Sequence, residues 1–451
     1  MAAFSSIRTT WQVKRLDSPP ADFPPRGGSS ICSTEVGLLI FGGASRDQVA
    51  FDDLVLCTKV PAKLNTNLEA TTNSQEECKK QCKLEWKKIE TEGDVPQPRS
   101  GHATVSYKNY LFLFGGIDFA EETAFNDLYV LNLSTWTWKY VGETGAEIEA
   151  RNSHSLAILH SKTTDSSRYH PTGTSCEGAD DISGSSSSSS SGGRNITEAY
   201  LVVFGGASVE KGPLGDTFYA PLPQQIEEVE EEGFHVHWTE LKSSEKSACP
   251  SAREMHSTCC NFRPGDITSD NCMGLSSSLF IAGGRGLEVI LDDVWELSTV
   301  PNVLEGGTSL TPPGAPFQWY QRQDLTLSSG RCAHGSAILD AGNGSMLLSL
   351  VGGFTGSSIA DDIACVAVES GCGDATQNTK PTQTNWLSTR CGSAIGARFG
   401  AAVCAAPKWL LNFKFPDHTP SNVENGGLLL YGGVNAEKDF GDVLLLLPPT
   451  R

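Results

Sequence analysis

The chain has 451 residues with 53 acidic and 34 basic side chains, a formal net charge of −19 at pH 7. That balance argues against a nucleic-acid partner, because a phosphate backbone is held by surplus Lys and Arg. No run of eighteen apolar residues is available to span a membrane.

Met1–Thr10 is polar and carries no secretory h-region before the first strand. Trp11–Leu16 reads as a strand without a unit of its own. From there one order of landmarks recurs. An Arg comes first (Arg26, Arg99, Arg151, Arg253, Arg331, Arg398), then an apolar strand, then a second one that ends in a Gly-Gly pair. The pairs are Gly42-Gly43, Gly115-Gly116, Gly205-Gly206, Gly283-Gly284, Gly352-Gly353 and Gly432-Gly433. An Asp follows nine to eleven residues later (Asp53, Asp127, Asp216, Asp293, Asp362, Asp442) and opens a third strand. A Trp marks the fourth: Trp86, Trp138, Trp238, Trp319 and Trp386, with Trp11 as the sixth. Three residue types in one register, six times over, are the signature of a modular fold. In the clearest unit Ala103–Tyr107, the turn Lys108-Asn109 and the continuous apolar run Tyr110–Phe114 describe a strand pair whose second member is buried on both faces.

A four-stranded sheet cannot hide both faces alone, and radial stacking solves that problem. The glycine pairs, the Asp and the final Trp resemble the Kelch repeat family from Trp11 to about Leu447. That resemblance implies an all-β fold, a six-bladed Kelch-type β-propeller forming one domain over 11–447. Cys365 and Leu444 stand where the second unit has Tyr129, as packing variants. The last unit, ending Asp442–Leu447, lacks a fourth strand, and the N-terminal strand is expected to complete it and remove an exposed edge.

The long insertions, among them 160–198 and 221–233, all fall in connections from first to second or third to fourth strand. Alternating strand direction puts these on one face. Segment 160–198, with its serine run, is expected to be disordered, and Glu227–Glu232 to be a solvated acidic loop or a dock for a basic segment. Fourteen Cys without a signal peptide suggest reduced thiols and a cytoplasmic location, or a nuclear one. Cys78 and Cys82 lack the further ligands that a zinc site needs, and three Asn sequons read as coincidence.

Four units carry Arg-x-x-His, giving His102, His154, His256 and His334 on the innermost strands; Ser29 and Ala401 replace the other two. Hydrogen bonding to neighbouring backbone is the expected role, since imidazoles from different blades are too far apart for bonds of about 2.1 Å to one ion. The Arg series is read the same way, with exposed guanidiniums at the channel mouth as the lesser alternative. Galactose oxidase belongs to the broader superfamily, but its copper ligand set has no counterpart here. Plant specifier proteins are similar in fold and hold iron with acidic residues and a His; Glu288, Asp292 and Glu296 have an i, i+4, i+8 spacing, but Asp292-Asp293 is simply this unit's turn. No catalytic residue, metal or cofactor is therefore assigned.

The functional reading is a non-catalytic module or scaffold for a protein or peptide. The alternatives are a substrate adaptor working with a ubiquitin ligase through a separate partner, since ten residues before Trp11 leave no room for a recruiting domain, and an enzyme or metal-dependent specifier-like protein with a site at the channel mouth. The binding surface is placed on the face of the short connections, second to third and fourth to next first. Its candidate residues are Arg46, Phe119, Lys211, Arg285 and Phe354.

Overall fold

The computed structural model describes residues 11–61, 82–164, 195–231, 233–242, 248–262, 276–299, 315–340, 346–368, 385–413 and 426–448. The second strands of the repeat, such as Leu38–Phe41 and Leu428–Tyr431, are buried along their whole length, as their unbroken apolar sequences require. Each pairs antiparallel with a first strand on one side and a third on the other. The described strands sort into six four-stranded groups, here called blades I to VI. Blade I is Ser30–Ser33, Leu38–Phe41, Leu54–Pro61 and Cys82–Ile89. Blade VI is Ala402–Ala405, Leu428–Tyr431, Val443–Leu447 and the N-terminal Gln12–Arg15. The innermost strands touch in order around a ring, and the last touches the first. The fold is a Kelch-type β-propeller.

The chain ends close the ring. Gln12–Arg15 lies antiparallel to Val443–Leu447, with Gln12 opposite Leu447 and Arg15 opposite Leu444. Trp11 is buried in one apolar cluster with Leu339, Leu430, Leu444 and Leu446. The fourth strands of blades II and III depart from the repeat: Thr137–Gly145 runs on past its own blade, and its end pairs in parallel with His235–Trp238.

A buried joint repeats in every blade and accounts for the three landmarks. The Arg guanidinium binds its own unit's Asp through both oxygens. In blade III, Arg151 Nη1 lies 2.7 Å and Nη2 2.9 Å from the Asp216 oxygens. The same Nη1 donates to the carbonyl of the first glycine of the pair, 2.9 Å away at Gly205. The second glycine then donates its N–H to the backbone carbonyl of the next blade's Arg, as Gly206 does to Arg253 at 2.9 Å. Gly433 donates to Arg26 at 3.0 Å, so the series returns to its start. Crowding at this crossing explains the glycines. At Gly283, φ is +58° and a Cβ would lie 2.3 Å from the Arg331 carbonyl oxygen.

The Arg residues are thus not exposed at the channel mouth: Arg26, Arg99, Arg151 and Arg253 are fully buried, Arg398 is 1% exposed and Arg331 8%. Carbonyls take part, as the sequence reading held, but the main partner is the Asp, which that reading had assigned only to a strand start. Two residues beyond each Arg the backbone turns left-handed, at Gly28, Gly101, Ser153, Met255, Ala333 and Gly400, with φ between +51° and +65°. The N–H of each bonds to the carbonyl of its counterpart one blade back, from Gly101 to Gly28 and so on until Gly28 meets Gly400, at 2.7–3.0 Å. These six bonds form a closed girdle at one end of the channel.

The insertions need two corrections. Segment 160–198 is not loop throughout, because Ser155–Thr164 and Asn195–Phe204 pair over their full lengths; 165–194 lies outside the described residues. In 221–233 the acidic run is not a free loop. Ile226–Glu230 forms a 3-10 turn that buries Ile226 and Val229 in the core of blades II and III. Alternating apolar and acidic residues allow this, with Glu227 and Glu230 left exposed. Cys82 opens a strand, while Cys78 lies outside the described residues.

Deleting residues 1–16 should remove a buried Trp and bare an edge strand, destabilising the protein by about 3–5 kcal/mol. Denaturant unfolding of the truncated and intact proteins checks this, and closely matching midpoints would contradict the closure. Gly283→Ala should cost at least about 2 kcal/mol, since a left-handed L-residue and a carbonyl clash coincide there. Gly233→Ala, where a Cβ meets nothing within 4 Å, is the control.

Candidate interaction face

The joints fix where the short connections emerge. Each second-to-third connection leaves the glycine pair and returns to the paired Asp, so both of its ends are anchored to one guanidinium. The residue after each pair also makes a bridge to the residue after the unit's Arg: Gly27 with Ala44, Ser100 with Ile117, Asn152 with Ala207, Glu254 with Arg285, Cys332 with Phe354 and Phe399 with Val434. Loops held so tightly lose little entropy when a partner binds.

The five candidate residues all lie on these connections, and their environments differ. Arg285 is not a free cation: its Nε donates to Glu254 Oε1 at 2.9 Å, and Glu254 is buried. Lys211 pairs with Glu149, whose hydrogen bond holds the Lys211 ammonium above its usual pKa. Phe354 is half-buried between its bridges to Cys332 and Ile359. Arg46 is exposed, and its backbone N–H donates to Asp439 Oδ2 of blade VI at 3.1 Å. Phe119 is exposed at the tip of the blade II hairpin.

The connections of blades III, IV and V adjoin one another. A Cβ at Gly212 would lie 3.8 Å from Leu287, and one at Gly356 would lie 3.4 Å from Ile290. The loops of Lys211, Arg285 and Phe354 therefore form one arc, whereas Arg46 stands by the seam of blades I and VI. Sequence reasoning named Phe119 and Phe354 but missed the other apolar members of this face. Of eight large apolar side chains exposed among the described residues, Val49, Phe119, Val209, Leu287 and Val289 lie on second-to-third connections and Val95 on a fourth-to-first one. Leu287 is the most exposed, at 81%. The available signal was an apolar residue on each side of Glu288 inside a glycine-bounded turn.

The channel histidines are buried and edge-on to the phenylalanine of the preceding blade: His102 to Phe41, His154 to Phe114, His256 to Phe204. Backbone groups contribute as expected, those of Arg99 and Phe41 to His102 and that of Phe114 to His154. Side chains contribute too: His102 Nε2 meets Ser30 Oγ at 3.0 Å and His256 Nε2 meets Ser155 Oγ at 3.3 Å, while neither ring nitrogen of His334 has a partner. Burial first, and the unit's own Arg second, hold His102, His256 and His334 at about 3, and His154 also well below its usual value. All four are neutral in the fold. The acidic set of blade IV is not gathered either: Glu296 is bound to Arg322 at 2.8 Å and Glu288 sits on the loop. Among the described residues no three His, Cys, Asp or Glu side chains are arranged to hold a metal.

The family model for the KLHDC2/KLHL20/DRC7 Kelch-repeats domain matches residues 3–164. That stretch of the chain is similar to Kelch-repeat domains. Kelch domain-containing protein 2 of Bos taurus is 37% identical over 76 residues, 17% of this chain and 18% of that protein. Acyl-CoA-binding domain-containing protein 5 of Arabidopsis thaliana is 31% identical over 147 residues, 32% of this chain and 18% of the relative. N-(sulfonatooxy)prop-2-enimidothioate sulfolyase of Thlaspi arvense is 42% identical over 62 residues, 14% of this chain and 18% of the enzyme. The matched stretch spans less than a fifth of each relative's length. No helix of the described residues is long and apolar enough to cross a membrane.

The histidines of this Kelch propeller give it a pH dependence whose sign is fixed. Unfolded histidine titrates near 6.5, so below that pH the unfolded state takes up protons that the folded state refuses. Stability should be full above about pH 6.5 and fall as pH drops towards 3, each histidine contributing about 2 kcal/mol of loss by pH 5. Melting temperatures from pH 8 to 5 check this, and His154→Leu should flatten the slope by about a quarter.

Proposed function

We propose that the protein acts by binding, as a non-catalytic scaffold whose partner is a protein or peptide held on the short-connection face. The observation that carries this reading is the gathering of Val209, Leu287 and Val289 on adjoining connections of blades III and IV. Exposed apolar side chains clustered on rigid loops and rimmed by charge are what a protein interface requires. Arg285 and Lys211 supply the rim, Phe354 continues the arc, and Phe119 and Arg46 extend the face around the ring. Their ion pairs with Glu254 and Glu149 orient the two cations, so a partner carboxylate meets donors already in place. A cytoplasmic setting and a partner other than nucleic acid accompany this reading.

The test begins with capture on the full chain and identification of the bound protein, followed by titration of that protein against two variants. Leu287→Asp/Val289→Asp should weaken binding by more than about tenfold, or 1.4 kcal/mol, with the melting temperature unchanged. Undiminished affinity in this variant, together with loss on Glu227→Ala/Glu230→Ala, would move the interface to the opposite face.

A further inference from the structure

Blade VI carries a cleft. It lies where the connection after Leu387–Arg390 passes the second-to-third loop of blade VI, and its volume is about 370 Å³. Arg15, Ile395, Arg398, Lys438, Asp439 and Phe440 line it. The buried joint is altered there. In blades I to IV the Arg Nε donates to the carbonyl two residues back, that of Pro24, Gln97, Glu149 or Ser251, at 2.9–3.0 Å. In blade VI that residue is Gly396, which is left-handed at φ +66°, and Arg398 Nε is buried with no partner.

The charge is also unlike that of the other joints. Each remaining Asp of the series meets the guanidinium of its own unit's Arg. Asp442 holds two, Arg398 at 2.6 Å and Arg15 at 3.0 Å. Lys438 is exposed at the rim, with its Nζ 4.8 Å from the Phe440 ring, and Asp439 is the second carboxylate. Three cations against two carboxylates leave one positive charge uncompensated, in a chain whose net charge is −19. Asp439 uses Oδ2 to accept from the Arg46 N–H, and its Oδ1 is buried without a partner. The donor and the acceptor, both unused, belong to residues that line the cleft, where the surplus charge is positive.

We propose that this cleft is a binding site for a small organic anion. Its acid group would bind Arg398 Nε, with Arg15 and Lys438 beside it, and a neighbouring hydroxyl or ammonium would donate to Asp439 Oδ1. An unpaired buried donor and acceptor each cost on the order of 1–3 kcal/mol, and one ligand relieves both. The volume is near the lower end of small-ligand pockets, which suits a metabolite with on the order of ten non-hydrogen atoms. Carboxylate and phosphate share the required chemistry.

The test is calorimetric titration of the full chain with L-malate, L-aspartate and glycerol 3-phosphate, using propionate, inorganic phosphate and glycerol as controls. The expected result is saturable binding of at least one of the first three, with the controls bound at least about tenfold more weakly. Malate or aspartate set against glycerol 3-phosphate tells carboxylate from phosphate. Lys438→Ala and Arg15→Ala, which leave the Arg398–Asp442 pair in place, should each weaken that binding by about tenfold. If Arg15→Ala lowers the melting temperature, Lys438→Ala alone decides. The proposal is overturned if no acid binds at millimolar concentration, if propionate or inorganic phosphate binds as well as the donor-bearing acids, or if Lys438→Ala binds like the unaltered protein.

Discussion

The buried guanidinium is the constraint on which the rest of the molecule depends. Its side chain ties the Asp strand to the glycine pair within a blade, and its backbone carbonyl receives the preceding blade's glycine N–H. One residue thus sets the register inside a sheet and the position of that sheet against its neighbour. An ion pair buried this deeply is not a large net source of stability, because desolvation offsets most of the attraction. In blades IV and V burial opposes ionisation, yet the hydrogen bonds and charge of Arg253 and Arg331 still hold Asp293 and Asp362 below the usual carboxylate range. The benefit is geometric: a planar fork accepts one arrangement of its partners, whereas apolar packing tolerates many.

Loops leaving such a joint have both ends fixed, and this governs what the face can do. The apolar side chains at Val209, Leu287 and Val289 are held out by backbone that is hydrogen-bonded on both sides. The long insertions fall in connections from first to second or third to fourth strand, away in sequence from the glycine pairs and Asp residues of the joints. Even there the acidic turn Ile226–Glu230 is drawn into the core by two apolar residues, and Glu230 reaches back to Asn132. Blade VI is assembled from both chain ends, and Arg15 enters its cleft with a strand that brings no unit of its own.

The sequence by itself determined the repeat, the order of strands within it and the closing of the last unit by Trp11–Leu16. These are legible because strand patterning and turn glycines are local, and because repetition shows the same pattern six times. It also exposed the spacing of Arg, glycine pair and Asp, but not why they keep step. Only the tertiary structure decided that the Asp is the guanidinium's partner, that left-handed residues such as Met255 and Ala333 join a closed hydrogen-bonded girdle, and that His334 is buried without a partner. It likewise decided that Gly212 adjoins Leu287, and that Arg15 meets Asp442 from the far end of the chain. The reason is that such contacts join residues far apart along the chain, and are fixed by how the sheets stack rather than by any preference the residues carry locally.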